Sequence, residues 1–255
     1  MSEDRDQTKG NIKYSKKSRR GYKGKYYIEK RLRVIGINAN GISPKFPSLD
    51  FVIKELNPSI ICLQETKLRK TGKLKSENCK KYINFELVRK HSHGGGLATM
   101  VKSELEPVWI AEGDDQVELL VVEVRVKELK IRIINAYGPQ ESDSIERKTL
   151  FWARIQSEVI SATEAGSAVI IEMDGNLHCG DEIIRGDPNK INNNGKMFQT
   201  FIEENPNLFL LNSSEKCDGL ITRRRQKNDK LEQAILDFVL VSEELKPYFQ
   251  QMKCV

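Results

Sequence analysis

Within the stretch AVIIEMDGNLHCG, positions 168 to 180, an apolar run gives way to Glu172, Asp174, Asn176 and His178 inside seven residues. Three other apolar runs end in the same kind of residue: Asn38 and Asn40 follow VIGI, Glu65 follows IICLQ, and Tyr137 follows IINA. These residue types have complementary capacities. Glu65 with Asn40 offers only hard oxygen donors, an environment that suits Mg2+ or Mn2+ rather than zinc. Asp174 can take a proton from water, while the amides of Asn38 and Asn176 and the hydroxyl of Tyr137 can donate to an anionic oxygen. Hydrolysis of a phosphodiester needs neutralised phosphoryl charge, a base for water and a group that stabilises the leaving oxygen. No Ser/His/Asp or Cys/His arrangement of comparable kind is visible. Each position taken singly is also an ordinary turn former, and NG at 40 to 41 or DG at 174 to 175 need be no more than a tight turn. Repetition at four strand ends is what points to a shared rim.

Short strands and a few helices must position that rim. RLRVIGIN (31 to 38) reads as a strand, and FPSLDFVIKELN (46 to 57) places Leu49, Val52, Ile53 and Leu56 on one helical face. PSIICLQ (58 to 64) is a buried strand that completes a β-α-β unit. YINFELV, GLATMV, VELLVVEV and IRIINAY follow, and their alternation predicts antiparallel pairing. A helix near 144 to 162 presents Phe151, Ile155 and Val159; then come the buried strand SAVIIEM, a helix around 195 to 204, LFLLN, GLITRRR and a last strand AILDFVLVS (234 to 242). The pattern predicts a four-layered α/β sandwich of two mixed β-sheets flanked by helices.

Composition sets the outer bounds. With 255 residues, 38% of them hydrophobic, the chain is long enough for one sizeable core. Residues 1 to 33 carry twelve Lys/Arg against four Asp/Glu, although the whole chain is only +6, so the remainder is slightly acidic. The expected division is a basic tail, 1 to 32, disordered when alone, and a domain over 33 to 255. The tail reads equally as a solvated leader and as a nucleic-acid arm or nuclear-import signal. No apolar run approaches the roughly 20 residues of a membrane span and no secretory signal opens the chain, so an intracellular location, nuclear if the tail acts in import, is expected. Five widely spaced cysteines without a C-x-x-C pair read as reduced thiols. Glycines 94 to 96 lack the Lys-Ser/Thr of a phosphate-cradling loop, and His91 and His93 read as loop residues beside them.

LQETK at 63 to 67, NAYGPQ at 135 to 140, MDGNLH at 173 to 178 and LDFVLVS at 236 to 242 occur in that order. As an ordered set they resemble the endonuclease/exonuclease/phosphatase superfamily, above all exonuclease III-like apurinic endonucleases and the endonuclease domains of non-LTR retrotransposons. The similarity spans roughly 33 to 255. GINANGI (36 to 42) resembles the first family motif, which implies that Asn38 and Asn40 approach metal and phosphate. By the same resemblance Glu65 is a metal ligand, Tyr137 contacts phosphate, Asp174 orients or deprotonates the attacking water with Asn176 beside it, and Thr222 and Asp237 match the late Thr and the Asp that steadies a catalytic His. ITRRRQKNDK (221 to 230) resembles a hairpin that approaches the DNA groove, where Arg223, Arg224 and Arg225 would meet phosphates.

Two departures stand out. Met173-Asp174-Gly175-Asn176 replaces the family's Gly-Asp-Phe-Asn, and no histidine follows His178 where the family ends in Ser-Asp-His. The expectation is a chain that stops before that final strand, with His178 a loop residue and not its replacement. The resemblance thus implies a DNA-nicking endonuclease domain of retroelement origin, dependent on Mg2+ or Mn2+, monomeric, and fused to a reverse transcriptase in the intact element. The alternatives are a phosphatase or phosphodiesterase of the same superfamily and a catalytically dead nucleic-acid-binding remnant.

Overall fold

The expected β-α-β unit opens the fold. β1 (Val34–Asn38) and β2 (Ile60–Gln64) pair in parallel and are joined by α1 (Phe46–Leu56). Pro47 sits in the first turn of α1, where its missing N–H would have had no helical partner. Asn57 ends the helix in the left-handed conformation, donating its N–H to Ile53 O at 2.9 Å. Leu49 and Ile53 bury against Ile61 and Leu63 of β2, so the apolar face read from the sequence is the packed one. The computed structural model describes residues 32–69, 74, 77–90, 94–227 and 230–254. The basic leader up to residue 31, His91 and His93 lie outside the described residues. Everything below belongs to the unit Arg33–Val255.

β3 (Tyr82–Leu87) and β4 (Leu97–Lys102) complete a four-stranded mixed sheet in the order β1-β2-β4-β3. The second mixed sheet draws on β5 (Val108–Glu112), β6 (Glu118–Val126), β7 (Leu129–Tyr137), β8 (Ala168–Asp174), β9 (Leu208–Leu210) and a late strand, Asp237–Ser242. Between the last two lie β10 (Cys217–Asp218) and the hairpin β11 (Arg223–Lys227) and β12 (Lys230–Ala234), so the late strand is β13. β14 (Met252–Lys253) pairs with β10. The six-stranded order is β5-β6-β7-β8-β13-β9, with only β7 and β8 parallel.

Alternation explains the layering. Val169, Ile171 and Met173 of β8 face outward into a core shared with α2 (Ile145–Glu164) and α3 (Asn193–Glu204), whereas Ala168, Ile170, Glu172 and Asp174 face the other sheet. Trp152 of α2 lies 5.5 Å and 5.4 Å from Phe198 and Phe201 of α3 between ring centroids, and Phe198 lies 5.2 Å from Phe238 of β13. Trp152→Ala would remove the middle of this stack at a cost of about 3–5 kcal/mol. One boundary and one whole strand stand out against the sequence reading. The last strand begins at Asp237, later than residue 234, because the Leu236 and Asp237 N–H groups donate to Thr222 Oγ1 at 2.9 and 3.2 Å and residues Lys230–Ala234 pair instead in the hairpin. β5, an edge strand with mostly exposed side chains, has too little apolar alternation to be read in advance.

Candidate active site

Parallel pairing of β1 with β2 and of β7 with β8 brings the ends of these four strands together. Tyr137 stands opposite Asp174 on one side, and Asp237 stands opposite Asp174 on the other. Across the sheets, Asn38 donates its amide to Glu65 Oε1 at 3.0 Å and also to Asp174 Oδ2. The Tyr137 hydroxyl donates to the same Glu65 Oε1 at 3.1 Å. Four residues from four strand ends therefore form one hydrogen-bonded cluster.

Asn40 joins through its backbone and its side chain. Its N–H donates to Asn38 Oδ1 at 3.0 Å, an Asx turn, and its Oδ1 accepts from Lys67 Nζ at 2.5 Å. Lys67 Nζ lies 3.1 Å from Glu65 Oε2 as well. Asn176 donates its N–H to Asp174 Oδ1 at 3.1 Å and its side-chain amide to Gly138 O at 3.0 Å. Asn40, Glu65, Lys67 and Asn176 all have φ between 40° and 49°, a left-handed backbone that side chains adopt at a cost and that concentrates at functional sites. At Gly138 a Cβ would lie 2.3 Å from Gly175 O, so only glycine lets the loops after β7 and β8 approach.

Charge is divided unevenly across the cluster. Burial pushes the Glu65 carboxyl up, but hydrogen bonds from Asn38, Lys67 and Tyr137 and the Lys67 charge outweigh it and hold the group below its ordinary 4.5. Asp174, only 2% exposed, is pushed up to about 7, first by burial and then by Asp237, with the Asn38 hydrogen bond opposing. Burial also raises Asp237, against a hydrogen bond with Thr222. Tyr137 is pushed up to about 12 by burial and by Glu65, so it is a phenol at neutral pH and a standing donor. One ionised carboxylate, Glu65, thus sits beside a paired set whose charge is shared.

Several supporting residues were not singled out as functional from the sequence. Asn194 of α3 is fully buried, accepts from Trp152 Nε1 at 2.9 Å, and donates to Gly175 O at 3.0 Å and Pro139 O at 3.2 Å, tying both site loops to the helical layer. Gln64 donates to Asn135 Oδ1 at 2.9 Å between the sheets, directly behind Glu65 and Tyr137. Asn212 donates to Asp237 O at 3.0 Å and accepts from Val239 N at 3.0 Å. Glu172 shares the inward face of β8 with Asp174 but lies two residues deeper, inside the sandwich and away from the rim. Polar residues in apolar runs were the available signal, but no spacing rule tells a buried brace from an exposed ligand.

The remaining expected site residues fall around this cluster. The Thr222 hydroxyl holds the start of β13, as its bonds with Leu236, Asp237 and the Asp237 carboxyl show. Arg223, Arg224 and Arg225 follow at once on β11 and are exposed. His178 is fixed through its backbone to Asn192, and no hydrogen bond among the described residues joins its imidazole to the site carboxyls. Beside the cluster an open cleft is lined by Glu65, Lys67, Arg89, Tyr137, Gly138 and Arg147.

The donor set fits a hard cation. Lys67 already places a cationic group between Glu65 Oε2 and Asn40 Oδ1, which shows that these two oxygens can face one positive charge together. Among the described residues no group of three or more His, Cys, Asp or Glu is placed to hold a metal ion by itself. Two protein oxygens completed by water and substrate phosphate is a pattern Mg2+ commonly adopts.

A scan of the sequence against models of protein families gives no match, and a search of curated proteins gives none. Solved structures do match. The endonuclease domain of TRAS1, a telomere-specific non-LTR retrotransposon, aligns over 84% of this chain and 87% of its own with a TM-score of 0.64 at 16% identity. The 3'-5' exonuclease NExo of Neisseria meningitidis aligns over 86% and 90% with a TM-score of 0.63 at 15% identity. The catalytic domain of Xenopus laevis APE2 aligns over 84% and 83% with a TM-score of 0.63 at 20% identity. The chain has the endonuclease/exonuclease/phosphatase fold. At these identities the likeness establishes architecture, and the residues at the strand ends must carry any statement about chemistry.

Proposed function

We propose that this chain is a divalent-metal-dependent endonuclease domain of the retroelement type that nicks DNA. The observation that carries the reading is the cluster in which Asn38 links Asp174 to Glu65, so that a general base and a metal ligand from opposite sheets share one donor. Glu65 and Asn40 would hold Mg2+ or Mn2+, which when bound supplies positive charge to a phosphoryl oxygen. Asp174 takes the proton of the attacking water, its affinity for that proton raised by burial and by the neighbouring Asp237. Asn38, Asn176 and Tyr137 donate hydrogen bonds to the phosphate as its charge grows. Thr222 positions Asp237, which faces Asp174 across the strand pair and keeps a second carboxyl beside the base. The arginines of β11, leaving the site at Thr222, form a cationic arm for flanking phosphates. A matched structure of Neisseria NExo bound to a product DNA hairpin supports a DNA substrate.

The test is conversion of supercoiled plasmid to open circle with and without Mg2+. Nicking should require the metal and fall by at least about two orders of magnitude in Asp174→Ala, the scale of a positioned base. Intact plasmid with turnover of a phosphomonoester or a nucleotide phosphodiester would move the assignment to a phosphatase or phosphodiesterase. DNA retention with no turnover of any of these would make the chain a binding remnant.

A further inference from the structure

Two cysteines that the site does not use meet beside it. Cys217 lies on β10, which runs parallel to β14 with Cys217 opposite Met252 and Asp218 opposite Lys253. The Cys254 N–H continues this ladder to Asp218 O at 2.9 Å, which brings Cys254 opposite Gly219 and onto the face that carries Cys217. Gly219 leaves that face open. The Cys217 thiol donates to Gly219 O at 3.3 Å, and a Cβ on Gly219 would lie 3.5 Å from Cys254 Cβ and 2.7 Å from Cys254 O. Cys217 and Cys254 are thus diagonal neighbours on one face of the β10–β14 ladder, each close enough to act on the other's thiol. Both are partly exposed, whereas Cys62 and Cys179 are buried.

We propose that Cys217 and Cys254 are a redox site that closes to a reversible disulfide by exchange with low-molecular-weight disulfides. One thiol gives its proton to solvent and attacks the small disulfide, expelling one small thiol and leaving a mixed disulfide on the protein. The second protein thiol then gives up its proton, attacks the protein sulfur of that mixed disulfide and releases the second small thiol. Two protein thiols are oxidised to one bond while one small disulfide is reduced to two thiols. Burial raises both thiols, Cys254 to about 12, with Cys217, Asp237 and Glu172 adding to it, and Asp218 adding to the effect at Cys217. Exchange therefore runs through the small thiolate fraction and quickens as pH rises. The bridge closes the segment from 217 to 254, which contains Thr222, the arginine hairpin and Asp237, and thereby restrains the late half of the site.

The experiment incubates the full chain, in a Cys79→Ser background, with oxidised glutathione and maps peptides without reduction. A cross-linked peptide joining Cys217 to Cys254, an intact mass lower by two hydrogens, reversal by dithiothreitol and loss of the cross-link in Cys217→Ser are expected. Melting of the bridged form should rise by roughly 5–10 °C, the scale for closing a loop of this length in a domain of this size. Glutathione held as a stable mixed disulfide on either cysteine, bridging to another cysteine, or no reaction in excess oxidised glutathione would each overturn the proposal. So would a bridged form that melts no higher than the reduced one.

Discussion

Replacing Glu172 by glutamine should change the pH dependence of stability more than stability itself. Glu172 is 6% exposed, lies between the sheets beneath Gly36 of the edge strand β1, and receives no hydrogen bond among the described residues. Burial, with Asp237 adding to it, pushes its carboxyl from 4.5 up to about 8. A carboxyl whose folded pKa lies above its unfolded value holds its proton more tightly in the folded chain. Its stabilising contribution is complete below about 4.5 and is lost as pH rises toward 8. Each pH unit inside that window is worth up to about 1.4 kcal/mol per proton, so pH 5 to 7.5 costs the parent chain on the order of 3 kcal/mol from this residue. Glutamine keeps the shape and cannot ionise. Urea unfolding of parent and Glu172→Gln without metal, at several pH values between 5 and 8, should give midpoints that diverge steadily, the variant gaining on the parent as pH rises. Asp174 and Asp237 titrate in both proteins, so the difference reports Glu172 together with its coupling to Asp237. A constant offset between the two curves would show that Glu172 is not held protonated and would refute the reasoning.

Gly36→Ala would bring a Cβ to 1.6 Å from Glu172 Oε1, so it should destabilise the chain by about 1–3 kcal/mol, yet be nearly neutral when Glu172 is also alanine. A chemical-unfolding cycle measures this, and additive effects would mean that the two residues do not compete for one space. Asn194→Ala leaves the Trp152 N–H and two loop carbonyls without their partner and should cost about 2–4 kcal/mol. Plasmid nicking should fall with it at temperatures where the variant is still folded, and full activity there would make Asn194 a brace without influence on the site. Changing Arg223, Arg224 and Arg225 together to alanine should weaken DNA binding and lower the slope of log affinity against log salt by about 2–3. An unchanged slope by fluorescence anisotropy would make the hairpin ordinary solvated surface.

By itself the sequence determined the elements and the rim. The apolar face of α1, the alternation of β6 and β7 and the buried runs of β2 and β8 are local patterns, and their polar ends named Asn38, Asn40, Glu65, Tyr137, Asp174 and Asn176 without coordinates. Local patterns work there because periodicity is set by the backbone, whatever the strand packs against. Pairing across the sandwich is not local. That Asn38 donates to Asp174, 136 positions away, and that Lys67 reaches both Asn40 and Glu65 depends on sheet order and on left-handed turns that no run of residues announces. The same holds for Asp237, whose partner from the resemblance was a histidine and whose partner in the fold is Thr222. Glu172 shows the limit most clearly. In the chain it reads as one more acid beside Asp174, and only the facing sheet, with no side chain at Gly36, makes it a buried acid held apart from the rim. Which acid stands at the strand ends and which lies between the sheets is a property of the layer opposite, so the tertiary structure decided it.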